Sequence, residues 1–151
     1  MPVLTPQTLA EAVGQAIAAS DHAGQALGIS LEEIAPGFAQ VRMAVRPDML
    51  NAHGTCHGGV IFTLADMAFA YACNSTNHST VAAGADIDFL APAHPGDVLT
   101  ATARESAQAG RLGVYDMEVR NQEGRLIALC RGRSCRIQGS VIRQELAERI
   151  E

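Results

Sequence analysis

Asp66 is the acid whose surroundings are most unusual. At helical spacing Phe62, Phe69, Ala70 and Cys73 share its face, and no Arg lies in the same segment to pair with it. A carboxylate carried into apolar surroundings costs free energy, and its pKa rises. The chemistry this suits is that of a general base or a nucleophile; an Asp paired with an Arg from a neighbouring strand is the plainer alternative. Gly58-Gly59 opens the same apolar segment. A helix N-terminus presents free N–H groups and a partial positive charge, and glycine lets a ligand approach the backbone. Such a start could hold the oxyanion of an ester or thioester carbonyl. A tight turn that requires glycine is the alternative.

His53, Cys56 and His57 form a third group. Their spacing matches no standard zinc pattern, and the remaining Cys and His residues are scattered, so no metal is expected. Cys56 as a nucleophile with His57 as its base has poor geometry, because adjacent residues do not face each other. His78 and His94 read as loop histidines, and Cys73, Cys130 and Cys135 as small packing residues. Arg131 and Arg133 alternate on one strand and share a face. They could bind the phosphates of a nucleotide-like ligand or pair across strands with Asp116 or Glu118.

The chain that must position these groups has 151 residues, 48% apolar and 18% charged, which suits a single domain spanning residues 1–151 with a real core. Its net charge of −5 disfavours nucleic acid as a partner. All 11 basic residues are Arg, which excludes a Schiff-base or P-loop lysine. The N-terminus MPVLTPQTL has no basic region ahead of an apolar run, so a cytoplasmic location with reduced cysteines is expected. The longest apolar run, Val60 to Cys73, is too short for a membrane span and contains Asp66.

Residues 6–19 show helical spacing of Leu9, Val13, Ala16 and Ile17, with Gly24 and Gly28 as the expected end. Strands are predicted over Leu27–Ile34 and Phe38–Arg46, the second from its strict alternation. After a loop over Pro47–Thr55, a central helix is predicted over about 59–74. It is apolar on every face, which implies burial on all sides. Four further strands, Val81–Leu90, Val98–Glu105, Leu112–Arg120 and Leu126–Ile137, follow one another over short turns and must pair mainly antiparallel. The tail from Ser140 onward fits a short helix or a frayed end. The order gives an α+β domain with one sheet curled around one helix and an extra N-terminal helix.

The segment LNAHGTCHGGVIFTLADMAFAYACNS, Leu50 to Ser75, resembles the hotdog-fold acyl-CoA thioesterases of the PaaI type. The likeness continues through IDFLAPAHPGDVLTATA, GVYDMEVRNQ and ALCRGRSCRIQG and covers nearly all of the chain from Leu27 on. It implies a sheet wrapped around a central helix, and hydrolysis of a thioester to carboxylate and free CoA without metal or organic cofactor. The acyl group it suggests is phenylacetyl or hydroxyphenylacetyl, from phenylacetate catabolism. Carried onto these residues, Asp66 is the base or nucleophile and the Gly58 N–H polarises the carbonyl. Asn51 and His57 support the carbonyl and the site geometry, and Arg131 and Arg133 are candidate CoA contacts. Some relatives place a hydroxyl on the strand after the helix. The matching Val81-Ala82-Ala83 has none, so that helper is absent or comes from Thr80.

Asp66 and Gly58 are eight residues apart, roughly 12 Å along a helix. A base and an oxyanion donor acting on one carbonyl must both lie about 3 Å from the reacting atoms. Two antiparallel helices across a two-fold axis would meet that condition, which predicts a dimer with shared sites. The resemblance extends this to a dimer of dimers, a homotetramer. A hotdog hydratase or dehydratase and a non-catalytic acyl-CoA-binding or regulatory module are the competing functions, since fold alone does not fix activity.

Overall fold

The computed structural model describes residues 4–143 and 145. Its elements run α1 (Pro6–Ser20), α2 (His22–Ala26), β1 (Ser30–Ala35), β2 (Phe38–Ala44), a short 3-10 turn (Pro47–Met49), α3 (Gly58–Asn74), β3 (His78–Phe89), β4 (Val98–Ala109), β5 (Leu112–Arg120) and β6 (Leu126–Ser140). The strands form one antiparallel sheet in the order β1-β2-β4-β5-β6-β3. This is the hotdog arrangement, a sheet curled around α3. Inward-facing Val41, Met43, Leu99, Ala101, Met117, Val119 and Ala128 meet Leu64, Ala65, Ala68, Phe69 and Ala72 of the helix in one core.

The wrap is close. A Cβ at Gly132 would lie 2.9 Å from the Phe69 ring, so β6 touches the helix with bare backbone at that point. At the far end of α3 the Asn74 amide clamps the start of β3. Its Oδ1 accepts from the Thr80 N–H at 2.9 Å, and its Nδ2 donates to the Thr80 carbonyl at 3.1 Å. The Ser75 hydroxyl donates to the Ala72 carbonyl at 2.7 Å and accepts from the Gly37 N–H at 2.8 Å, tying the helix end to the β1–β2 turn.

Several boundaries differ from the sequence expectation. The first helix ends at Ser20, before Gly24, because Asp21 caps a new short helix by accepting from the Gly24 N–H. Gly24 therefore lies inside α2, and Gly28, at φ +69°, makes the turn into β1. β3 begins three residues earlier than expected, since the Asn74 clamp holds Thr80 in extended conformation. β4 and β6 run longer than their apolar patterns, carried by continued pairing with β5 and β3. Ser140 closes β6, while most of the tail beyond it falls outside the described residues.

The larger correction concerns α3. It is buried on most of its surface, but Gly59 and Asp66 are exposed and Thr63 and Ala70 half-buried, so one face stays open in the single chain. The sheet thus covers only part of a helix whose sequence is apolar on nearly every face.

Candidate active site

The first turn of α3 is set by the loop before it. The His57 N–H donates to the Met49 carbonyl and the Cys56 N–H to the Ala93 carbonyl, each at 2.8 Å. Asn51 folds the intervening residues: its Oδ1 accepts from the His53 N–H at 2.9 Å and the Thr55 N–H at 3.2 Å. Gly54, at φ +77°, completes that turn. His57 is the N-cap, and its Nδ1 accepts from the Gly59 N–H at 3.3 Å. An accepting Nδ1 puts the ring hydrogen on Nε2, which points a donor away from the helix.

That arrangement occupies the Gly59 N–H and leaves its neighbour free. Among the described residues the Gly58 N–H has no acceptor. Gly58 itself lines a cavity of about 390 Å³, with Asn51, Thr55, Ile61, Phe89 and Leu90. Neither Gly58 nor Gly59 has a left-handed φ, so the tight-turn alternative does not account for the pair. Three of the residues picked out in the sequence, Asn51, His57 and Gly58, are thus gathered at one end of the helix.

Asp66 lies two turns further on and does not line that cavity. The expectation of a buried carboxylate is corrected, because in the single chain Asp66 is exposed on the open face of α3. Among the described residues no cation pairs with it. Its carboxyl is nonetheless pushed above the ordinary carboxylate range, first by the apolar bulk around its base and then by the negative charge of Asp21. Asp21 sits at the α1–α2 corner, where the sequence offered no sign that it would approach the helix.

The other candidates fall away from this centre. Cys56 is buried, its thiol is pushed up by burial, and its sulfur faces the His57 backbone carbonyl at 3.8 Å. Cys73 is raised to about 12 by burial and the nearby Asp66 charge. Among the described residues no His, Cys, Asp and Glu side chains cluster as a metal site would need. The Thr80 hydroxyl donates to the His78 carbonyl at 2.8 Å and is committed there. Arg131 and Arg133 share the outer face of the sheet, as their alternation predicts. Arg131 holds Asp116 through two bonds of 2.7 and 3.1 Å, the cross-strand partner that competes with a ligand phosphate, and Arg133 holds Asp86 at 2.8 Å.

Comparison with known proteins gives a consistent result. The model of the Thioesterase superfamily matches residues 53–128. Acyl-coenzyme A thioesterase PaaI of Escherichia coli is 50% identical over 122 residues, 81% of this chain and 87% of that protein. The structure of E. coli PaaI, from the phenylacetic acid degradation operon, superposes with a TM-score of 0.89 at 46% identity, covering 90% of this chain and 99% of that one. A hypothetical thioesterase from Streptococcus pneumoniae, solved with coenzyme A, superposes at 0.71 with 28% identity over 74% of this chain and 90% of that one.

Proposed function

The chain belongs to the thioesterase superfamily, and within it to the acyl-CoA thioesterases of PaaI type, and from that premise we propose that its substrate is an aryl-acetyl-CoA. The products are the aryl-acetate and free CoA, and the acyl group is phenylacetyl or hydroxyphenylacetyl, as the operon of the E. coli relative suggests. The observation that carries the chemistry is the unpaired Gly58 N–H opening onto the cavity that Asn51 also lines. There the carbonyl oxygen accepts from the Gly58 N–H, and negative charge developing on it is met by the positive end of α3. Asn51 and His57 hold the loop and the cap that keep this N–H free.

Asp66 attacks either through water or directly. As a base it takes a proton from water while the water oxygen bonds to the carbonyl carbon. As a nucleophile it forms that bond itself, and water then cleaves the anhydride. In both routes the C–S bond breaks and CoA leaves as a thiolate that picks up a proton.

The Asp66 that serves a given Gly58 comes from a second copy of the chain, because roughly 12 Å of helix rise separates the two within one copy. Two features support this assembly. The open face of α3 carries Gly59, Thr63 and Ala70, small residues that let another helix come close to Asp66. β3 is a 12-residue edge strand with no strand of the described residues paired on its outer side, and it exposes Val81 and Phe89. An antiparallel second α3 would also bring the positive end of one helix to the Asp66 carboxylate of the other, offsetting the desolvation that covering it causes. The same reading makes the protein a cytoplasmic dimer or dimer of dimers with its four cysteines reduced; all four are free thiols in the structure. No described helix is long and apolar enough to cross a membrane. CoA phosphates that reach Arg131 and Arg133 must compete with Asp116 and Asp86.

Thiol release followed with a chromogenic thiol reagent, over a panel of aryl- and alkyl-CoA thioesters, tests the reading. Phenylacetyl-CoA or its hydroxylated form should show a higher kcat/KM than long straight-chain thioesters. A clear preference for palmitoyl-CoA would refute the acyl assignment, and release from no thioester would refute the activity.

A further inference from the structure

We propose that Phe89 is the specificity-determining residue of the acyl subsite: its ring forms the wall against which an aryl acyl group packs, and position 58 is glycine to seat that ring. This rests on the thioesterase reading above and deepens it.

Gly58 and Gly59 begin the same helix with ordinary right-handed backbone, so neither is needed for conformational freedom. They differ in what lies beside them. A Cβ at Gly59 would meet only the His57 Nδ1 at 3.6 Å, an ordinary contact. A Cβ at Gly58 would meet the Phe89 ring, with Cζ at 3.1, Cε1 at 3.3 and Cε2 at 3.5 Å. Three ring atoms therefore lie within 3.5 Å of where a side chain at position 58 would begin, and position 58 is the residue whose N–H is free. The ring takes the space of that side chain.

Phe89 is held although the residue is 52% exposed. It ends β3 opposite Ala128, and the next two residues both donate to the Ile127 carbonyl, at 2.8 and 3.2 Å. A half-exposed aromatic ring on a fixed backbone, at the mouth of a cavity of about 390 Å³, gains by being covered. Asn51 and Thr55 line the same cavity, so the space offers polar groups for a carbonyl as well as the flat apolar ring for what is attached to it. A group that is planar and apolar one or two bonds from its carbonyl matches both, which is the chemistry of an aryl-acetyl group. Aromatic pairing beyond area burial is worth roughly three- to tenfold in kcat/KM.

The experiment measures kcat/KM for phenylacetyl-CoA and for butyryl-CoA, and reads their ratio. Loss of folded enzyme lowers both rates equally and leaves the ratio alone. Phe89→Leu keeps apolar bulk without the ring and should lower the ratio about three- to tenfold; Phe89→Ala should lower it at least as far if it folds. Gly58→Ala keeps the N–H but pushes the ring aside, so it should lower the ratio in the wild-type background and leave it unchanged in the Phe89→Leu background. A folded Phe89→Leu enzyme whose ratio stays within about twofold of wild type overturns the specificity role. An equal effect of Gly58→Ala in both backgrounds overturns the pairing of ring and glycine. Wild-type enzyme that cleaves no acyl-CoA overturns the thioesterase reading and this inference with it, whereas an active wild type with an insensitive ratio overturns this inference alone.

Discussion

The first turn of α3 and the middle of the same helix carry the two halves of the proposed site, and one chain completes them to different degrees. At the first turn most parts are local: the Asn51 turn, the His57 cap and the free Gly58 N–H come from residues 49–59, and only the cavity wall needs the end of β3 and the residues after it. In the middle, Asp66 stands on an open face with no cationic partner among the described residues. Backbone donors can be aimed by short-range hydrogen bonds alone. A carboxylate that must work at elevated pKa needs low-dielectric surroundings on several sides, and a helix half-wrapped by a sheet supplies only some of them.

The largest expected effect comes from breaking the Asp66 half. Asp66→Asn should lower kcat by at least ~10²-fold as the proton acceptor or nucleophile is lost, while circular dichroism stays unchanged; near-normal turnover would remove Asp66 from the mechanism. Stability should move the other way. The folded state holds the Asp66 proton more tightly than the unfolded chain does, so this group's stabilising contribution is full at low pH and is lost as pH rises through its raised pKa. Asn cannot ionise, so the variant should melt at or above wild type at neutral pH, and the difference should vanish below the ordinary carboxylate range. A lower Tm for Asp66→Asn at neutral pH would show that the carboxylate is stabilised in the folded protein.

Mixing sharpens the comparison. Gly58→Pro removes the donor and Asp66→Asn the acid, and each variant alone should be inactive. Refolded together, about half the dimers are mixed, and one site in each inherits neither defect, so activity should recover to roughly a quarter of wild type. A site contained in one chain gives no recovery. Exchange is verified with a mass-tagged chain, and the fold of Gly58→Pro by circular dichroism.

A smaller effect is expected from Asp21, whose charge adds to burial in raising the Asp66 pKa. Asp21→Asn preserves a capping side chain at the α2 start and removes that charge, so the acid limb of the kcat/KM profile should move to lower pH. An unmoved limb would show that burial alone sets the pKa of Asp66. The smallest effect belongs to the sheet's outer face. The Arg131–Asp116 pair is exposed and screened by solvent, so Asp116→Asn should leave Tm nearly unchanged. A rise in KM for Arg131→Gln with kcat unchanged would mark that residue as a CoA contact.

Much was readable before any coordinates. The alternation of Phe38–Arg46 and the even spacing of four later strands contain the antiparallel sheet, because side-chain direction repeats every two residues. The apolar run after Gly58-Gly59 contains the central helix, and His57, Gly58 and Asn51 lie close enough in sequence that local hydrogen bonding brings them together. The resemblance over Leu50–Ser75 added the reaction class.

Other features required the tertiary structure, since they depend on residues far apart in the chain. Phe89 reaches Gly58 only because β3 folds back along α3, and nothing in IDFLAPA marks which side its ring takes. Asp21 approaches Asp66 only through the α1–α2 corner. The exposure of Asp66 departs from the sequence expectation for the same reason. An apolar helix face reads alike whether a sheet of its own chain covers it or a second surface must, and hydrophobic periodicity records that a face needs covering without recording what covers it.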